Sequence, residues 1–277
     1  MNTWAFRAIT VLFLITVFST ATNDFLVISV RTTKKFHKTR LKDILDTWYQ
    51  DAGQEVYFFT DRHDMFLKIR LGAHFIETDC SAGHDRHSLC CKMNHELMFF
   101  LANNSSWSCH FDDDNYVNIK ALRRFLSSMS YELPWYLGKM STASPIKVSS
   151  RNGRKVSIWF STGGAGICLS RELLKRLSIY VVERKFEASC AQYMLPDDVT
   201  LGVIITHILK VPLTVVHELH SHLEPLLHMQ LSDIPYQVSF GGSERPHGLH
   251  GIDLPTAPVP DDPLRFRALH SYLKSIR

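Results

Sequence analysis

Three consecutive carboxylates, Asp112-Asp113-Asp114, follow the apolar-flanked run Trp107 to Phe111. Like charges crowded at the end of a buried segment are unfavourable unless a cation or hydrogen-bond donors compensate them. Mg²⁺ and Mn²⁺ prefer oxygen ligands and are commonly held by one or two carboxylates together with substrate phosphates. The stretch therefore reads as a D-x-D motif that helps hold a metal-bound nucleoside diphosphate. The bland alternative is a solvated acidic turn capping the next helix.

The pattern around the triplet places it at the end of a strand. Phe25 to Val30 is a continuous apolar run, as in a strand buried on both faces. Leu41, Ile44, Leu45 and Trp48 then recur at helical spacing. Val56 to Phe59 and His74 to Ile76 read as further strands, and Leu89 to Leu101 as a helix. Ser106 to Phe111 is the strand that delivers the triplet, followed by a helix with Ile119, Leu122, Phe125 and Leu126 on its apolar face. Trp135 to Leu137 is another short strand. Strands alternating with helices indicate an α/β chain with a parallel, doubly wound sheet. Such sheets bind ligands at the carboxyl ends of their strands. Thr32, Asp61 and Asp112 all fall just after such ends.

The second half opens near Pro145 and carries a glycine-rich turn, Ser161-Thr162-Gly163-Gly164-Ala165-Gly166. It matches neither a Walker loop nor a complete G-x-G-x-x-G. It is a tight turn beside a sheet, or a floor on which a sugar ring can lie, since glycines allow close backbone approach. Ser170 reads as the N-cap of a helix through Leu173, Leu174 and Leu177. In Pro196-Asp197-Asp198 the first two residues suit a helix start, which leaves Asp198 without an obvious structural duty and makes it a candidate catalytic acid or base. Val211 to Val216 reads as a strand, and if it continues, His220 and His222 share a face. Ser221 stands where an H-E-x-x-H zinc motif beginning at His217 would need histidine, and the glycine an EF-hand loop needs after Asp112 is absent.

The net charge is +4, without a dense basic block, which gives no indication of nucleic-acid binding. Arg7 precedes an apolar run from Ala8 to Phe18 and then Ser19-Thr20-Ala21. This describes a secretory signal peptide or a short signal-anchor over residues 1–22, since a comfortable membrane span needs about 20 apolar residues. Either reading exports the remainder to an oxidising lumen, where the 6 cysteines can pair. Asn103 and Asn104 head two overlapping glycosylation sequons. Spacing alone does not fix the cysteine pairing. Cys109 and Cys168 would lock one site if they are neighbours; Cys80 lies near both Cys90 and Cys91; Cys190 and one of those two would be left over, and nothing in the sequence says whether they pair.

Taken in order, Ser29 to Leu41, Asp46-Thr47-Trp48, Phe59-Thr60-Asp61, Cys80-Ser81-Ala82, Cys91-Lys92-Met93, His110 to Asn118, Trp159 to Cys168, Leu195 to Thr200 and His220 to Glu224 resemble the Fringe glycosyltransferases. The resemblance implies a GT-A fold, with residues 23–277 as one catalytic domain: a nucleotide-binding half over about 23–140 and an acceptor half over about 141–277. It implies an O-fucosylpeptide β-1,3-N-acetylglucosaminyltransferase that uses Mn²⁺ and UDP-GlcNAc. The acceptor would be O-linked fucose on EGF-like repeats of Notch-type proteins, in the Golgi lumen, with the N-terminal segment as a type II anchor unless cleaved. Carried over by position, Thr32, Arg40, Asp61 and Asp112 resemble nucleotide-sugar contacts, Asp113 and His222 metal ligands, and Asp198 the catalytic base. Cys80–Cys91 and Cys109–Cys168 resemble family disulfides. The chain departs from the family at Leu219, where a Phe is usual, and lacks the family's long stem and C-terminal cysteine pair. A related enzyme with another UDP-sugar donor and a secreted, inactive carbohydrate-binding homologue are the alternative readings.

Overall fold

The structure, a computed structural model, describes residues 25–149, 153, 155–242, 251–257 and 259–276. Residues 1–22, read from the sequence as a signal or anchor, lie outside the described residues. The strands are β1 (Leu26–Arg31), β2 (Val56–Thr60), β3 (Phe75–Glu77), β4 (Trp107–Asp112), β5 (Asn115–Val117), β6 (Tyr136–Gly138), β7 (Ile146–Ser149), β8 (Lys155–Ile158), β9 (Ile167–Ser170), β10 (Leu213–Val215) and β11 (Ser239–Gly241). The helices are α1 (Arg40–Asp46), α2 (Tyr49–Ala52), α3 (Met65–Leu71), α4 (Arg86–Ala102), α5 (Ile119–Ser127), α6 (Arg171–Leu177), α7 (Lys185–Tyr193), α8 (Asp197–Gly202) and α9 (Phe266–Ser275).

Among the described residues, seven strands form one sheet in the order β10-β6-β9-β4-β1-β2-β3. Side chains alternate across a strand, and β1 shows how that partitions the core. Leu26, Ile28 and Val30 join one cluster with Leu41, Ile44 and Trp48 of the α1 region, Leu122 and Leu126 of α5, and Phe266 and Leu269 of α9. Val27 faces the other side, with Met93 and Leu97 of α4, Leu173 and Leu177 of α6, Phe186 of α7 and Leu201 of α8. Burial of each such aliphatic or aromatic side chain stabilises by about 1.5–3 kcal/mol.

The sheet is mixed rather than purely parallel. β1, β2, β3 and β4 run parallel, and β10 runs parallel to β6. β9 is antiparallel to both β4 and β6. The chain enters β9 from the glycine turn, at the end of the sheet where β4 finishes, so it must run back. Gly166, at φ +102°, makes that reversal: a Cβ there would lie 2.2 Å from the Phe111 ring, so both the backbone angle and the space exclude other residues. The same register sets Cys109 opposite Cys168, and they are bonded.

The acidic triplet is not a helix cap. Asp112 ends β4, Asp113 and Asp114 form a turn, and β5 follows and pairs with β11. The cap of α5 is Asn118, whose Oδ1 accepts from Ala121 N at 3.3 Å. Ser170 caps α6 as its sequence position suggests, accepting from Leu173 N at 3.3 Å. Residues 216–222 turn instead of extending β10, so His220 and His222 do not share a strand face. Val238 N and Ser239 N both donate to Glu218 O, which folds the segment back toward β11.

Candidate active site

β1 has β2 on one side and β4 on the other, so the order of the strands reverses beside it. Ligands of open α/β sheets bind at such a switch point, beyond the carboxyl ends of the strands. A cavity of about 890 Å³ opens there. Arg31 and Thr32 come from the end of β1, Asp112, Asp113 and Asp114 from the end of β4, and Lys35, Phe36, Arg40, His84, Lys92 and His222 complete the charged and aromatic lining.

Thr32 Oγ1 donates to Asp113 Oδ2 at 2.7 Å. Arg40 Nη1 reaches Asp113 Oδ1 at 3.1 Å and Asp114 Oδ2 at 3.2 Å, and its guanidinium lies 3.9 Å from the centre of the Phe36 ring. Burial raises the pKa of Asp113 against the opposing effects of Arg40 and Thr32. Burial and the repulsion of Asp112 and Asp113 push Asp114 up to about 8. Asp112 behaves oppositely. Burial favours its neutral form, but Arg31 and His110 hold it well below the usual carboxylate range.

Behind the triplet runs a buried polar chain. Ser29 Oγ donates to Glu96, and Glu96 Oε2 lies 2.5 Å from His110 Nδ1. Burial opposes charging of His110, but Glu96 and Asp112 outweigh it and raise its pKa to about 9. Arg31 Nε and Nη2 donate to Asp112 Oδ1 at 3.1 and 2.8 Å, while Arg31 Nη1 pairs with Asp197 at the start of α8.

Asp197 thus has a structural partner, and Asp198 does not. Among the described residues, Asp198 accepts only from backbone donors, Val199 N at 2.7 Å and Gly163 N at 3.5 Å. Burial and the neighbouring Asp197 raise its pKa to about 6. Asp198 does not itself line the cavity; the glycine turn lies between its carboxylate and the cavity residue His222. Asp198 approaches Gly163, and the next residue, Gly164, lies beneath the His222 ring, whose Cε1 would be 3.0 Å from a Cβ there. Asn115 Nδ2 fixes the turn by donating to Gly164 O at 2.9 Å.

The remaining expected site residues divide. Asp61 is absent from the cavity wall; Lys92 Nζ closes it off at 2.7 Å, and both side chains are buried. His220 supports the fold, lying 2.8 Å from Gln237 Oε1 and stacking on Phe240. The sequence reading missed Arg31, Lys92, His110 and Glu96. Arg31 follows an apolar strand directly, and a buried strand end that keeps a cation is the one signal that marks it.

The donor types at the cavity suit a divalent cation. Asp113, Asp114 and His222 line one cavity, and Asp114 Oδ1 is buried without a hydrogen-bond partner. An oxygen-rich set with one imidazole suits Mn²⁺ better than Mg²⁺. Among the described residues, the group of acids, thiols and imidazoles whose ligand atoms all lie within 4.8 Å of one another is a different one, Asp79, Cys80, Cys91 and His95, but its two sulfurs are bonded to each other. Cys90–Cys190 is the third disulfide, which resolves the pairing left open by spacing.

The Fringe-like family profile matches residues 20–276. The chain belongs to the Fringe family. Over 255 residues it is 44% identical to the Fringe glycosyltransferase of Drosophila melanogaster, covering 90% of this chain and 62% of that one. It is 41% identical to the lunatic fringe β-1,3-N-acetylglucosaminyltransferase of Danio rerio, over 90% of this chain and 68% of that one. It is 39% identical to the human manic fringe β-1,3-N-acetylglucosaminyltransferase, over 89% of this chain and 78% of that one. This Fringe-family chain thus spans 62% of the Drosophila relative's length. Among solved structures, the glycosyltransferase GlyE of Streptococcus pneumoniae superposes with a TM-score of 0.40 at 10% identity, over 76% of this chain and 48% of that one. Among the described residues of the Fringe-family fold, no helix is long and apolar enough to cross a membrane.

Proposed function

We propose that this chain transfers N-acetylglucosamine from UDP-GlcNAc, with inversion and dependence on Mn²⁺, to O-linked fucose on EGF-like repeats. The product is a β-1,3 linkage, the acceptors are Notch-type proteins whose signalling the sugar modulates, and the compartment is the Golgi lumen, with residues 1–22 as anchor or cleaved signal. One observation supports this most directly. The glycine turn carries a lone carboxylate, Asp198, against Gly163 and the His222 imidazole against Gly164, so a base and a metal ligand flank one backbone step.

Asp198 removes the proton from the fucose 3-hydroxyl as that oxygen attacks the anomeric carbon of GlcNAc. The bond from that carbon to UDP breaks, and UDP leaves with the electron pair. A base with a pKa of about 6 is ionised at neutral pH and still accepts a proton readily. Arg40 donates to the anionic nucleotide from its seat on Phe36. Thr32 orients Asp113, and Asp112, held ionised by Arg31, contacts the nucleotide sugar. Asp113, Asp114 and His222 would hold the Mn²⁺, whose charge when bound neutralises the diphosphate. With that leaving group, no second carboxylic acid is needed, unlike in most glycosidases.

The test is a donor panel with Mn²⁺ on a fucosylated EGF repeat, read by mass. Addition of one N-acetylhexosamine is expected; addition of a different sugar, or none, overturns the assignment. Asp198→Asn should retain UDP binding and lose about 10²–10⁴-fold in turnover; near wild-type turnover would remove Asp198 as the base.

A further inference from the structure

The guanidinium of Arg31 stands between two acids that belong to different parts of the chain. Asp112, 81 residues away, ends the donor-side strand β4, and Asp197, 166 residues away, opens α8. The Arg31 and Asp197 side chains are only 9% and 5% exposed, so water competes little for the bridge. Asp197 is the residue before Asp198, and the Asp198 side chain accepts from Val199 N in the same first turn. The guanidinium also lies beneath the glycine turn: a Cβ at Gly163 would be 3.6 Å from Arg31 Nη2. Gly163 is the residue whose N–H reaches Asp198. Arg31 thus bears on Asp198 from two directions, through its neighbour in α8 and through the turn.

We propose that Arg31 is a positioning residue for transfer: its guanidinium ties the acidic turn after β4 to the start of α8 and so fixes where Asp198 presents its carboxylate. This rests on the reading of Asp198 as the base. Arg31 lines the donor cavity and touches the acids, but the reacting hydroxyl is served by Asp198. Misplacing a reacting group by about 1 Å costs about 10²-fold in rate, which sets the scale of the effect.

The same bridge acts on the proton affinity of Asp198. The charged and titratable groups around it are Asp197 on α8, Arg31 on β1 and the Tyr136 hydroxyl on β6, with His110 and Glu96 behind Arg31. Arg31 lowers the Asp198 pKa and Asp197 raises it. Breaking the bridge from its two ends therefore moves that pKa in opposite directions, which a merely structural ion pair at a distance would not do.

The experiment measures kcat against pH at saturating UDP-GlcNAc, Mn²⁺ and fucosylated EGF repeat, for Arg31→Met, Arg31→Lys, Asp197→Asn and Asp198→Asn. Arg31→Met is expected to lose about 10²-fold in kcat, with a smaller change in the KM for donor, and to move the acidic limb of the profile to higher pH. Asp197→Asn is expected to lower kcat and move that limb to lower pH. Arg31→Lys, which keeps the cation, is expected to recover about 10-fold or more of what methionine loses. Wild-type kcat in both Arg31→Met and Asp197→Asn, or limb shifts of the same sign, overturns the proposal. So does a lysine variant no better than methionine. Should Arg31→Met fail to fold, the lysine and asparagine variants decide it. Turnover retained by Asp198→Asn would instead reject Asp198 as the base, whatever the Arg31 variants do.

Discussion

Replacing Lys92 with methionine should expose how strongly the floor of the donor cavity depends on one buried ion pair. Lys92 Nζ donates to Asp61 Oδ2 at 2.7 Å and to Thr32 O at 3.1 Å, with the two side chains 2% and 0% exposed. Removing one partner of a buried pair costs about 3–5 kcal/mol, because the other charge stays behind. A ceiling comes from letting Asp61 take a proton instead. At pH 7 that costs about 4 kcal/mol for an acid with an ordinary pKa near 3.9, at about 1.36 kcal/mol per pH unit. The two figures agree, and the second adds a pH signature. In the wild type the folded Asp61 pKa is depressed, because Lys92 and local donors outweigh burial. Its contribution is present above the unfolded pKa and is lost only as pH falls through the folded one. In the variant the folded pKa is raised, so the penalty grows with pH, from about 1.5 kcal/mol at pH 5 to about 4 kcal/mol at pH 7. Urea unfolding without reductant, followed by tryptophan fluorescence at both pH values, measures this. A variant within 1 kcal/mol of wild type at pH 7, or a penalty that does not shrink on acidification, refutes the reasoning. The double variant Asp61→Leu with Lys92→Met should cost much less than Lys92→Met alone, since no charge is left unpaired.

Turnover should fall about tenfold per pH unit below the Asp198 pKa of about 6, because the ionised form does the work; a rate-pH profile at saturating substrates shows it, and an acidic limb far from 6 contradicts it. Asp113→Ala should weaken Mn²⁺-dependent UDP binding in calorimetry while metal-free UDP binding changes little. Gly164→Val should do the same by displacing the His222 ring, whose Cε1 and Nδ1 would lie 3.0 and 3.1 Å from the new Cβ. Unchanged metal-dependent binding in either variant would remove that residue from the proposed metal site.

What could be read in advance was local. Apolar runs ending before Thr32, Asp61 and Asp112 place these residues at strand ends, and Pro196-Asp197-Asp198 marks a helix start with one acid to spare. The reversed direction of β9 was not legible, because it follows from where the glycine turn lies in space and not from any periodicity. The three-residue strands β5 and β11 are too short to carry a pattern, so the triplet's true setting, a turn between strands, was hidden. His220 and His222 looked equivalent because their spacing suits an extended chain. The chain turns there, and one histidine is committed to Gln237 and Phe240 while the other faces the cavity. Asp61 sat at a strand end like the others, yet its counter-ion comes from α4, 31 residues downstream.

The disulfide pattern has a consequence for how the molecule is made. Cys90 and Cys91 are consecutive on α4, but Cys91 joins Cys80 and Cys90 joins Cys190, at separations of 11 and 100 residues. During synthesis Cys80 meets two adjacent thiols long before Cys190 emerges, and a bond to Cys90 closes a loop of nearly the same size as the native one. Correct maturation therefore calls for exchange between sulfurs of consecutive residues on one helix, a rearrangement by thiolate attack on an existing bond. Yield of native material should depend on a disulfide isomerase more than on an oxidant alone.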